Sequence, residues 1–123
     1  MKNRNFAESF SHALDGIEHT LRNERNMKIH LVAAALAIFA AIFFKISAIE
    51  YVMVFMTIGL VLICEILNTI VELIFDVLYK DYNKNAKLAK DMAAGATLIA
   101  ALVAVTVGIC IFGWRVMEWI TKI

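Results

Sequence analysis

The stretch MAAGATLIAALVAVTVGICIFGW, Met92 to Trp114, runs for twenty-three residues without a charge. A helix rising ~1.5 Å per residue needs roughly 20 apolar residues to cross the hydrocarbon layer of a bilayer. This segment is long enough to span, and a soluble bundle has no use for an uncharged helix of that length. Two shorter charge-free blocks precede it, Leu31 to Phe44 and Tyr51 to Cys64. Each reaches spanning length by taking in flanking residues: Met27 to Leu31 for the first, Ile66 to Phe75 for the second. Lys28 and Lys45 can snorkel to the headgroups. The predicted fold is all-α and integral to a membrane, one domain over residues 1–123 with three transmembrane helices at about 27–45, 48–76 and 92–114. A hydrophobic content of 62% without a single proline agrees, because soluble chains stay near ~45–50%.

Ahead of the first span, Phe6, Phe10, Leu14, Ile17 and Leu21 recur at spacings of four, four, three and four. That periodicity predicts an amphipathic helix over about residues 5–25, lying in the membrane interface or packed on another helix, two readings that are compatible. Its polar face carries Lys2, Glu8, His12, Asp15, Glu18, His19 and Arg22. So polar a leader before the first apolar block argues against a cleavable signal peptide.

Lysine and arginine set the expected orientation. Lys2, Arg4, Arg22, Arg25 and Lys28 precede the first span, and Lys80, Lys84, Lys87 and Lys90 lie between the second and third. Only Lys45, Arg115 and Lys122 fall on the other side, so the N-terminus and the second linker are expected in the cytoplasm. A net charge of +1 gives no nucleic-acid surface. Cys64 and Cys110 sit inside apolar stretches without metal-ligand spacing and read as buried thiols.

Within the second span stand Glu65, Asn68, Thr69, Glu72 and Asp76. At about 100° per residue all five fall within roughly 60° of Glu65 around the helix axis. An ionised acid at a bilayer centre costs ~2.5–3.5 kcal/mol, so the stripe must face protein, water or a ligand. A polar clamp between helices needs one or two such groups and gains nothing from three acids, which repel unless a cation or proton sits among them. Glu65 lies two turns, about 10 Å, deeper than Glu72, which points to separate tasks. Asn23 and Glu24 before the first span, with Lys90 and Asp91 before the third, belong to the same cytoplasmic layer. Glu24 and Glu72 suit Mg²⁺, a hard cation that shares its oxygen ligands with phosphate. Lys90 suits phosphate as a point charge near a helix N-terminus. The five glycines form no phosphate-binding loop motif. The residues alone therefore reach a cation-dependent membrane site.

The run Glu65-Ile-Leu-Asn-Thr-Ile-Val-Glu72 with Asp76 resembles the signature of the prokaryotic diacylglycerol kinase family, roughly E-x-x-N-[ST]-x-x-E-x-x-x-D. Asn23-Glu24 and Ala89-Lys90-Asp91-Met92 are similar to two further family segments. The resemblance implies a homotrimeric bacterial plasma-membrane enzyme that uses MgATP from the cytoplasm to phosphorylate a lipid hydroxyl. It implies Glu65 as proton acceptor, Glu24 and Glu72 as ligands of metal and ATP, and Asn68 and Asp76 as supports. Lys90, Asp91, the Asp81-Tyr82-Asn83 segment and His12 take nucleotide contacts. In members acting on diacylglycerol an acid commonly follows six residues after the Glu24 equivalent, where this chain has His30. The segment around His30 is similar to the Gram-positive branch, which implies undecaprenol as acceptor, with diacylglycerol as the alternative. A proton or cation pathway and a non-catalytic membrane subunit are the competing classes, since intramembrane acids also build relays.

Overall fold

The computed structural model describes residues 5–123 and is helical throughout, with no strand among them. Lys2 and Arg4, counted above for orientation, lie outside the described residues. Helix α1 (Phe6–Asn23) is capped by the Asn5 side chain, which accepts from the Glu8 N–H at 2.8 Å. It ends at Glu24, whose extended backbone (φ −101°, ψ 118°) makes a one-residue corner into α2 (Arg25–Phe44). Lys45, in the left-handed conformation (φ 53°), closes α2, and Ser47 opens α3 (Ala48–Leu78) with a capping box. A short loop leads to Asn83, which caps α4 (Lys84–Gly108) through the N–H groups of Asn85 and Ala86. That helix continues through a π turn (Ile109–Gly113) into α5 (Trp114–Lys122), 39 residues without a break.

Three helical rods, Arg25–Phe44, Ala48–Leu78 and Lys84–Lys122, are long and apolar enough to cross a membrane. Their outer faces are apolar too: Phe39 is 70% and Met56 72% exposed, which a soluble monomer rarely tolerates over so wide a surface. Buried side chains form a thin seam, with Ala41, Ile46, Val54 and Ile111 at one end of the bundle. Helix α3 packs mainly along α4 and less along α2, so it is the spine of the subunit. On α1, Phe6, Phe10, Leu14 and Ile17 stay exposed, and Thr20 alone is buried.

The end of the bundle holding the α2–α3 turn is clasped by an ion pair. The capping box presents the Glu50 carboxylate, Oε1 accepting from Ser47 N–H at 3.0 Å. Arg115 donates to both of its oxygens, from Nη1 to Oε2 at 2.7 Å and from Nη2 to Oε1 at 2.9 Å, and to the Ile111 carbonyl at 2.6 Å. The π turn inserts one extra residue just before, which re-aims everything beyond it by about 100°. Aromatic contacts between Phe43 and Trp119 and between Phe44 and Phe112 complete this end. Because the fork-to-fork geometry ties elements 65 residues apart, Arg115→Ala is expected to lower the thermal unfolding midpoint in detergent. Lys122→Ala, which removes a pair within one helix face, should leave it nearly unchanged, as scanning fluorimetry of both variants will show.

Candidate active site

Along the polar stripe of α3, burial falls steadily towards the helix C-terminus. Glu65 is 1% exposed and Asn68 7%, Glu72 is half-buried, and Asp76 is exposed. The residue spacing produces this gradient: four or so residues advance ~6 Å along a helix, so one face runs from the core to the end of the bundle. Glu65 Oε2 and Asn68 Oδ1 are buried without a hydrogen-bond partner, an expensive condition for polar atoms and one that marks them as awaiting a partner. Asn68 uses its amide to reach Glu72, Nδ2 donating to Oε1 at 3.4 Å. Thr69 turns its hydroxyl back to the Glu65 carbonyl at 2.9 Å. Helix α4 is tied alongside by Thr97, whose hydroxyl donates to the Cys64 carbonyl at 3.3 Å.

The ionisable groups close enough to act on Glu65 come from three elements: His30 on α2, Glu72 on α3 itself, and Glu24 at the α1–α2 corner. His30 Nε2 stands 3.6 Å from Glu65 Oε2, just beyond hydrogen-bond reach, and both residues are largely shielded from solvent. Asn68 and Glu72 are thus linked along α3, and Glu24 at the α1–α2 corner is near enough for its charge to act on Glu65. Among the described residues, no three His, Cys, Asp or Glu side chains close around one point as a metal cage. Two carboxylates with open coordination positions are the donor set that Mg²⁺ prefers when phosphate oxygens supply the rest.

The remaining candidates lie nearer the surface. Lys90 is ion-paired with Asp76 across the α3–α4 junction, and Lys87 Nζ donates to Asp91 Oδ2 at 2.7 Å. Lys90, expected to meet phosphate, therefore already holds an acid, and so does Lys87. Asn83 caps α4 with its side-chain oxygen, which leaves its amide free for a ligand, while Asp81 and Tyr82 are exposed in the loop. His12 is on α1, its Nδ1 4.0 Å from Asp15 on the same helix. His12 and the 81–83 loop are not drawn to Glu65 by any contact within the subunit. In the sequence His30 marks branch membership and its contact with Glu65 goes unseen; a histidine at the sixth position of α2, just before a charge-free block, was the available signal.

Residues 11–112 match the family described as prokaryotic diacylglycerol kinase. The chain belongs to that family. Relatives agree: it is 37% identical over 107 residues to the undecaprenol kinase of Bacillus subtilis (strain 168), covering 87% of each chain. It is 39% identical over 108 residues to a diacylglycerol kinase of Synechocystis sp., covering 87% of this chain and 62% of that one. With the diacylglycerol kinase of Escherichia coli (strain K12) it shares 35% identity over 104 residues, 85% of this chain and 80% of the relative. A member of this family is a membrane lipid kinase with ATP as phosphate donor.

The Asp76–Lys90 pair separates structure from chemistry. Its side chains are 64% and 37% exposed, so a double-mutant cycle with Asp76→Asn and Lys90→Met should give a coupling of only ~0.2–1 kcal/mol in unfolding measurements. A larger coupling would make the pair a fold determinant.

Proposed function

We propose that this chain transfers the γ-phosphate of ATP to the hydroxyl of undecaprenol at the cytoplasmic face of a bacterial plasma membrane. The observation that carries the reading is Glu65: a buried acid with an unpartnered oxygen at the deep end of a stripe that opens outward at Asp76. A lipid alcohol approaches such a group from the membrane, and a nucleotide approaches the shallow end from water. In the reaction, Glu65 takes the hydroxyl proton and the alcohol oxygen attacks the γ-phosphorus. The bond from that phosphorus to the β–γ bridging oxygen breaks, and ADP leaves.

Glu24 and Glu72 would hold Mg²⁺, which when bound neutralises charge on the phosphates. Asn68, donating to Glu72, keeps that carboxylate turned towards the metal position. Lys90 shifts from Asp76 to phosphate when nucleotide arrives, with Asp91, the Asp81-Tyr82-Asn83 loop and His12 as outer contacts. Those outer groups are reached most simply if subunits share sites, which accords with a homotrimer whose stripes are shielded from lipid by neighbouring copies. The exposed row Phe6, Phe10, Leu14 and Ile17 suits α1 to the cytoplasmic interface, and the nine-to-three excess of basic residues sets the N-terminus inside. All of residues 1–123 then form one membrane-embedded kinase domain.

Undecaprenol is favoured over diacylglycerol by the Bacillus relative and by the histidine at position 30, where members acting on diacylglycerol commonly carry an acid. Glu65→Gln should lower kcat by ~100- to 10,000-fold, the worth of a general base, while MgATP binding measured by calorimetry stays intact. Glu24→Gln and Glu72→Gln should each weaken Mg²⁺-dependent nucleotide binding by roughly 10- to 100-fold, the size of a lost charge-assisted contact. Turnover retained in the first variant, or parental binding in the other two, would reassign the roles. In mixed micelles holding both lipids, undecaprenol should show a kcat/KM at least about tenfold above diacylglycerol; the reverse order would make the enzyme a diacylglycerol kinase.

A further inference from the structure

Helices α2 and α4 stand apart over the middle of the bundle, leaving a cleft of about 290 Å³ floored by α3. Its walls carry small side chains, Ala34 and Ala37 facing Ala104 and Gly108, and its floor is Ile58 and Val61. The volume is close to the ~300 Å³ at which small-molecule sites begin. One end of the cleft is His30, whose ring lies 3.6 Å from the unpartnered, buried Oε2 of Glu65. One flank reaches the lipid-facing surface at Val105, which is 58% exposed. From Val54 to Leu62 the floor runs about 12 Å along α3, enough for the first part of a long chain and not for all of it.

We propose that this cleft receives the isoprenoid tail of the acceptor, the hydroxyl end passing His30 to reach Glu65. The inference rests on the acceptor reading above and deepens it by giving the tail a place. Continuity decides the occupant, because the cleft leads from lipid to the one acid that is buried with an unpartnered oxygen among the described residues. The slot is single and uncharged, so it takes one linear apolar chain. Diacylglycerol brings two chains from adjacent carbons and leaves the second without a wall. His30 thereby acts as a positioning residue, setting the alcohol against Glu65 at the mouth of the cleft.

The test uses the full chain in mixed micelles with a polyprenol bearing a diazirine on its third prenyl unit. Irradiated without ATP, the wild-type protein should be labelled in the peptides holding Ala34 and Ala104, and unlabelled undecaprenol should compete the label away. Labelling confined to exposed faces such as Leu36 and Leu102 overturns the proposal. Ala104→Phe, which fills the cleft, should lower kcat/KM for undecaprenol by about tenfold or more and shrink the preference for undecaprenol over farnesol. Leu102→Phe, adding the same bulk on the exposed face, should leave that preference unchanged. An undiminished preference in Ala104→Phe puts the tail elsewhere. Equal loss on both alcohols with dissociation of the oligomer, read by light scattering, makes the cleft a seat for a second copy and overturns the proposal. Competable cleft labelling in a wild-type protein that phosphorylates neither alcohol supports the prenyl site and rejects the acceptor reading instead.

Discussion

A carboxyl group in the middle of an apolar helix governs the rest of this structure. Glu65 has six or more apolar residues before it on α3 and cannot be left facing lipid, where a charge costs ~2.5–3.5 kcal/mol on insertion scales. The subunit meets this by turning the residue inward until 1% of it is exposed, with α4 tied close through Thr97 and α2 bringing His30. It does not supply a full hydrogen-bond complement, and Oε2 stays unpartnered. The acid is thus shielded thoroughly and left with one carboxylate oxygen unsatisfied.

The two ends of α3 follow from that arrangement. Where the α2–α3 turn lies, polar groups are matched in a chain: Ser47 with Glu50, Glu50 with Arg115, Arg115 with the Ile111 carbonyl. At the opposite end the polar groups are paired loosely, by an exposed lysine–acid contact at Asp76 and a long amide contact at Glu72. One end is therefore a clasp that holds the helices in register, and the other has charges able to exchange partners. The rigid pairing lies far from the stripe, so the register of the helices does not depend on the Asp76–Lys90 and Asn68–Glu72 contacts.

Charge-free runs made the three long helices legible, since nothing but lipid rewards twenty-three such residues in sequence. The face shared by Glu65, Asn68 and Glu72 was legible too, because helical periodicity alone puts them in line. What escaped was whatever depends on the separation of elements. Lys90 and Asp76 are 14 residues apart on different helices, and Arg115 and Glu50 are 65 apart, so no local pattern encodes either pair. The corner at Glu24 also has no glycine or proline to announce it. Helix α4 begins at Lys84, eight residues before its charge-free block, because Asn83 caps a first turn that water can solvate.

No phosphate-binding loop motif is present, and the proposed chemistry explains why none is required. Phosphoryl transfer asks for little covalent participation by the protein; it asks for opposite charges held in place and for the acceptor to be nearer than water. In the proposed reading the charges come from the Glu24 corner, from Glu72 in the last two turns of α3 and from the start of α4. Burial supplies the exclusion, since the group proposed as base sits about 10 Å below Glu72, where a lipid hydroxyl can follow and bulk water does not. On that proposal, depth along one helix face does the work that a closing lid does in soluble kinases: it favours transfer to the alcohol over loss of the phosphate to water.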